Sequence, residues 1–136
     1  PARLELEITE TLLMQDIDLA INTLTELQQL GVTVAIDDFG IGYSSFNYLK
    51  TLPINVLKVD REFIKDIPDH LDDMEITAAI ISMAHRLKMK VVAEGIETDV
   101  QKVFLEEHHC DVGQGYLFSK PVSLDELFEK LALQHV

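Results

Sequence analysis

Val32-Thr33-Val34-Ala35-Ile36-Asp37-Asp38-Phe39-Gly40 is the stretch whose reading decides the fold. Val32 to Ile36 lacks the polar alternation of a half-exposed strand and has the pattern of a parallel strand covered on both faces. Just upstream, Ile17, Ala20, Ile21, Leu24 and Leu27 recur at helical spacing, and Gly31 stands where a helix would stop, which predicts a helix over residues 16–30. A strand that alternates with helices and runs out into a polar or charged residue recurs along this chain.

The same alternation continues downstream. Val56-Leu57-Lys58-Val59-Asp60 reads as a strand; Ile76, Ala79, Ile80, Met83 and Leu87 mark a second long helix entered through Asp72-Asp73; Lys90 to Ala93 reads as another strand. Thr98 with Gln101 and Ser123 with Glu126 have capping-box spacing, the second with Val122 and Leu127 placed as a hydrophobic staple. Met74, Met83, Met89, Phe63, Phe104 and Phe128 fall at packing positions and are expected in the core. Strands alternating with helices imply right-handed crossovers and a parallel sheet. Five βα units fit in 136 residues, whereas a closed eight-stranded barrel takes about 250. The units therefore make an arc of such a barrel or a small open sheet.

At 47% hydrophobic residues the chain can bury a real core, and its length is that of one domain. It opens at Pro1 without an initiator Met, a signal peptide or an apolar run of membrane-spanning length, and is expected to be a piece of something longer. Twenty-four acidic against eleven basic residues give a formal charge of −13, which argues against binding DNA, RNA or an anionic membrane through a basic patch. A phosphate ligand would need a cation as go-between. The single cysteine, Cys110, fits a reducing compartment, so a cytoplasmic location is expected.

Each strand runs out into a residue that chemistry can use: Glu7 after Leu4-Glu5-Leu6, Asp37-Asp38 after Ile36, Lys58 within its strand, Glu94 after Val91-Val92-Ala93, and Gln114 after Cys110-Asp111-Val112. In βα folds these ends share one face, where active sites are built. Acids at strand ends also cap the next helix. For Asp37-Asp38 that duty falls to Ser44 or Ser45, beyond the permissive Gly40-Ile41-Gly42 loop. Lys58 interrupts an apolar strand, where a charge is costly unless paired. Glu97 ranks below Glu94 because it also suits the start of the helix after Thr98. The five histidines show no metal-ligand spacing and read as structural.

Two like charges about 4 Å apart repel by roughly 4 kcal/mol at an effective dielectric near 20, so Glu7, Asp37, Asp38 and Glu94 cannot converge without counter-ions. Lys58 supplies one positive charge. All-oxygen ligation points to Mg²⁺ or Mn²⁺ for the rest, and a pair of such ions is a device for phosphodiester hydrolysis.

These residues carry a resemblance. Leu6-Glu7-Ile8-Thr9-Glu10, Asp37-Asp38-Phe39-Gly40-Ile41-Gly42-Tyr43-Ser44, Leu57-Lys58-Val59-Asp60, Ala93-Glu94-Gly95-Ile96-Glu97-Thr98 and Gln114-Gly115-Tyr116-Leu117-Phe118-Ser119-Lys120-Pro121 resemble, in order and spacing, the successive motifs of the EAL-domain family. That family comprises cyclic di-GMP phosphodiesterases with a TIM-like (β/α)8 barrel and two divalent metals, which open the cyclic dinucleotide to linear pGpG. The resemblance implies that residues 1–136 are a partial EAL domain, the C-terminal portion of the barrel with its first strands missing. It implies metal ligation by Glu7, Asp37, Asp38 and Glu94, with Glu94 also proposed as general base. By the same resemblance Lys58 orients water or phosphate, Gln114 lies near both, and Glu97 is an outer acid important for activity. Glu10 steadies the loop after the paired aspartates, a loop associated with dimerisation.

The departures are the absent Glu-Ala-Leu signature and early-strand asparagine, Ile41 in place of the usual Thr, and Asn55 where Asp is common. Loss of the first half removes two ligands, so the parent domain is expected to hydrolyse cyclic di-GMP and this polypeptide alone is not. Its open edges are expected to drive self-association or pairing with the missing half. A degenerate domain acting as a non-catalytic cyclic di-GMP receptor or protein-interaction module is the alternative. An enolase-type barrel is disfavoured by the glycine loops at Asp38 and Gln114.

Overall fold

The computed structural model describes residues 4–39 and 49–134. Within them, strands β1 (Glu5–Thr9), β2 (Thr33–Phe39), β3 (Val56–Val59), β4 (Lys90–Ala93) and β5 (Val112–Gly113) form one parallel sheet in chain order. The helices are α1 (Glu10–Gln15), α2 (Ile17–Gln29), α3 (Arg61–Ile64), α4 (Leu71–Arg86), α5 (Asp99–Glu107) and α6 (Leu124–Gln134). Among the described residues, helices lie between β1 and β2, β3 and β4, and β4 and β5, which gives the expected arc of βα units.

Local chemistry explains the boundaries. Asp16 caps α2 by accepting from the Leu19 backbone N–H at 3.1 Å, and Gly31 takes φ +85° where the chain leaves that helix. The strand before it is longer than its hydrophobicity suggests: β1 carries on through Glu7 to Thr9, and Thr9 then caps a helical turn, α1, that no apolar periodicity announced. Thr98 and Gln101 make both bonds of the expected capping box at α5. At α6 the Ser123 hydroxyl accepts from the Glu126 N–H at 3.3 Å.

Register sorts the side chains. Glu7 pairs with Ala35, Ala35 with Val56, Lys58 with Val92 and Val92 with Val112. With the two-residue period of strands, Leu6, Val34, Ile36, Leu57, Val59, Val91 and Ala93 share the opposite face, which the helices cover. Leu13, Leu24, Ile64, Ile81, Ala84, Phe104 and Leu105 pack against that face and complete the core. Each fully buried Val, Leu, Ile or Phe side chain among them contributes roughly 1.5–3 kcal/mol.

Two packing expectations are corrected. The buried face of α4 is Thr77, Ile80, Ile81 and Ala84, turned from the Ile76–Ala79 line, with the fully buried Thr77 hydroxyl donating to the Phe63 carbonyl at 3.5 Å. Phe128 is 60% exposed, as are much of Leu124, Leu127, Leu131 and Leu133, because no described element faces the apolar side of α6. At the other end of the sheet, Leu4, Leu6, Leu12 and Leu19 are also exposed. Both flanks of the arc are therefore apolar and open.

Candidate active site

The face of the sheet away from the helices carries the chemistry. Parallel register places Glu7, Ala35, Lys58 and Val92 on one side of adjacent strands. Asp37, two residues beyond Ala35, and Glu94, two beyond Val92, follow on that side. The ladder continues past β4 and β5: the Glu94 N–H donates to the Val59 carbonyl at 3.0 Å and the Gln114 N–H to the Ala93 carbonyl at 2.8 Å. Residues spread over more than a hundred positions in the sequence are thus set side by side by strand pairing alone.

Between β2 and β3 the register slips. Ile36 pairs with Leu57 but Phe39 with Val59, so two residues, Asp37 and Asp38, stand opposite the single Lys58. This is a β-bulge, which re-aims side chains where a regular ladder would alternate them. It sets the backbone of two consecutive acids opposite one lysine position. The side chain of Asp38 and the Gly40–Ser45 loop lie outside the described residues.

Lys58 is buried, and its Nζ donates to Glu7 Oε1 and, at 2.9 Å, to Glu94 Oε1. Burial pulls the ammonium's pKa down, but the hydrogen bonds and charges of Glu7 and Glu94 outweigh it and hold the pKa above the usual lysine value. At neutral pH Lys58 is a fixed cation. Glu94 moves the other way: burial, and a hydrogen bond and negative charge from Asp37, overcome the pull of Lys58 and push its carboxyl up to about 7. The Glu94 carboxyl thus lies within hydrogen-bonding reach of Asp37 as well as of Lys58. Two carboxyl groups on one ammonium, with a third beside Glu94, make a cluster rich in hard oxygen donors that fit a divalent Mg²⁺- or Mn²⁺-type ion.

The remaining expected residues are placed as follows. Glu10 is buried at the start of α1, directly after Thr9, which pairs with Asp37; the loop it is expected to steady is outside the described residues. Glu97 is exposed on the loop after β4, and Gln114 is exposed at the end of β5. Those two loops are laced together, the Ile96 N–H donating to the Gln114 carbonyl at 3.1 Å and the Leu117 N–H to the Ile96 carbonyl at 3.0 Å. A Cβ at Gly115 would lie 2.2 Å from the Ile96 backbone N and O, so glycine is what permits the approach.

Sequence reasoning did not single out the bulge, although two acids closing an apolar run are its trace. It also read His70 as structural and without metal-ligand spacing, whereas Asp66, His70 and Asp73 at the entrance to α4 bring one possible ligand atom each within 4.8 Å of one another. Their i, i+4, i+7 spacing was the available signal.

The fold and this rim define a class: a family model for the EAL domain matches residues 1–121, and the chain belongs to that family. The cyclic di-GMP phosphodiesterase NbdA of Pseudomonas aeruginosa is 58% identical over 128 residues, 94% of this chain and 16% of that protein. Among solved structures, the PaMucR phosphodiesterase in complex with c-di-GMP superposes with a TM-score of 0.90 at 43% identity, over 93% of this chain and 51% of that one. A Klebsiella pneumoniae BlrP1 manganese/cy-diGMP complex gives 0.82 at 35% identity, over 89% of this chain and 31% of that one. The five-stranded sheet is accordingly part of a TIM-like barrel, and this chain spans about half of the PaMucR structure. Among the described residues, no helix is long and apolar enough to cross a membrane.

Proposed function

We propose that this chain, as the C-terminal part of an EAL domain spanning residues 1–136 and completed by the rest of its barrel, serves the metal-dependent hydrolysis of cyclic di-GMP to linear pGpG. The observation that carries the reading is the convergence of Glu7 and Glu94 on the buried Lys58, with Asp37 beside Glu94. The 58% identity to a cyclic di-GMP phosphodiesterase supports it. Glu7, Asp37, Asp38 and Glu94 are the residues that would hold two Mg²⁺ or Mn²⁺ ions. When bound, such ions offset the carboxylate charge, acidify water and stabilise the oxygens of the reacting phosphodiester.

The chain's own groups then have distinct duties. Lys58, fixed as an ammonium by two acids, cannot accept a proton; it orients water and the phosphate by charge and hydrogen bonding. Glu94 is the basic group within its reach and takes the proton of the attacking water. The water oxygen bonds to phosphorus as one P–O3′ bond of the ring breaks and the departing O3′ takes a proton from solvent, leaving a 5′-phosphate and a 3′-hydroxyl on pGpG. Gln114 adds an amide at the same rim, Glu97 an outer acid, and Glu10 a buried support next to Asp37. The substrate is small and doubly charged, so the ions and Lys58 replace the basic groove that a net charge of −13 denies.

The open apolar flanks belong to the same proposal. A cleft of about 420 Å³ between β1 and α1–α2, lined by Leu6, Ile8, Leu12, Leu19, Leu24 and Leu27, is where the other part of the barrel, or a second copy of this chain, would pack.

The test is turnover by the complete domain with Mn²⁺, following pGpG by chromatography, against the Glu94→Gln variant. The expected result is a loss of at least about a hundredfold in kcat, the scale of a lost general base. Turnover retained in Glu94→Gln overturns its role. Wild-type binding of cyclic di-GMP with no pGpG formed overturns catalysis in favour of a receptor.

A further inference from the structure

Gln101 is buried to 3% exposure, one of four such polar or charged residues among the described positions, and has no part in the site described above. Its Oε1 accepts from the Thr98 N–H at 3.2 Å, which is all that a capping box requires. The same oxygen accepts from the Glu97 N–H at 2.8 Å, and its Nε2 donates to the Lys65 carbonyl at 3.3 Å. These two further bonds leave the helix that Gln101 caps.

Their partners are telling. Lys65 ends α3, seven residues after Lys58; Glu97 lies three residues after Glu94. One buried amide therefore ties the connection leaving β3 to the connection leaving β4, the two strands whose residues form the 2.9 Å Lys58–Glu94 pair. A second contact joins the same segments: a Cβ on Gly95, at φ +77°, would lie 2.5 Å from Arg61 Cγ. A buried amide is costly unless its bonds are made, so this clamp holds one geometry.

We propose that Gln101 is a positioning residue for the Lys58–Glu94 centre, fixing the loop over residues 94–98 against the end of α3 so that Glu94 and Glu97 keep their places at the rim. This rests on the function proposed above. Outer groups that orient a metal-binding set typically change affinity or activity by about 10–100-fold when removed.

The experiment compares Gln101→Leu, Gln101→Glu and Thr98→Ala in the complete domain. Gln101→Leu keeps the volume and removes all three side-chain bonds. Thr98→Ala removes the hydroxyl end of the cap, where the Gln101 N–H donates at 3.2 Å, and leaves the clamp. Gln101→Glu keeps the acceptor for Glu97 and loses the donor to Lys65.

Gln101→Leu is expected to accelerate amide hydrogen exchange at Glu97, to weaken Mn²⁺ affinity by about tenfold or more and to lower kcat more than it changes KM. Thr98→Ala is expected to lower the unfolding midpoint while leaving Mn²⁺ affinity within about twofold, outside the effect of a lost orienting group. Gln101→Glu should restore protection of the Glu97 amide. Equal losses of Mn²⁺ affinity in Gln101→Leu and Thr98→Ala, or unchanged exchange at Glu97 in Gln101→Leu, would overturn the inference. A wild type that forms no pGpG overturns the proposed function instead, and the exchange measurement still reads the clamp.

Discussion

At the scale of single residues, Glu94 and Lys58 face one another with opposite shifts, and the sign of each matters. Glu94's folded-state pKa of about 7 lies above the roughly 4.3 of a free glutamate, so in the metal-free fold its contribution to stability is full below about pH 4 and is lost as pH rises through 7. A divalent ion reverses that balance by taking the place of the proton. Mn²⁺ affinity of the complete domain should therefore fall below pH 7, by up to about tenfold per pH unit for one displaced proton. Calorimetric titrations at pH 6, 7 and 8 check this, and a pH-independent affinity would contradict it. Lys58 was legible in the sequence because a charge inside Val56–Val59 demands partners; the identities of Glu7 and Glu94 followed from strand ends meeting on one rim. The approach of Asp37 to Glu94 was not legible, since it depends on the spacing of two side chains from strands that are not adjacent.

At the scale of elements, the strands were readable and their irregularities were not. Val32–Ile36 announced β2 through unbroken hydrophobicity, but a bulge is a difference of register between two strands, and Asp37-Asp38 alone carries only half of that relation. α1 escaped notice because Glu10–Gln15 is too short for periodicity to show and starts from a Thr9 cap. α4 was found with its buried face misplaced by a residue, since Ile76 looks more like core than Thr77 does. The lacing of the two loops by Ile96 gives this scale its prediction. Gly115→Ala should destabilise the complete domain by about 1–3 kcal/mol, as overpacking against backbone does. Gly113→Ala should cost less, because its nearest neighbour at 2.7 Å is the tip of the Ile96 side chain. Urea unfolding at constant m-value measures both; an equal or smaller loss for Gly115→Ala would contradict the backbone contact.

At the scale of the molecule, the sheet is an arc with two apolar flanks, Leu4, Leu6, Leu12 and Leu19 at one end and Leu124, Phe128 and Leu133 at the other. Exposed apolar patches and open strand edges favour association. The 136-residue polypeptide by itself should elute from size-exclusion chromatography with a light-scattering mass above its 15.4 kDa, and a cooperatively folded monomer would remove that expectation. The number of βα units was readable from the pattern of the chain; Phe128 was misread as core because its helical spacing reports an apolar face and not what covers it. The central claim is that acids from separate strands gather at one rim to hold divalent cations. Crystals of the complete domain grown with Mn²⁺ and measured at the manganese absorption edge test it most directly. The account predicts anomalous peaks within bonding distance of the Glu7, Asp37 and Glu94 carboxylates. No peak there, with manganese found instead at Asp66, His70 and Asp73, would contradict it.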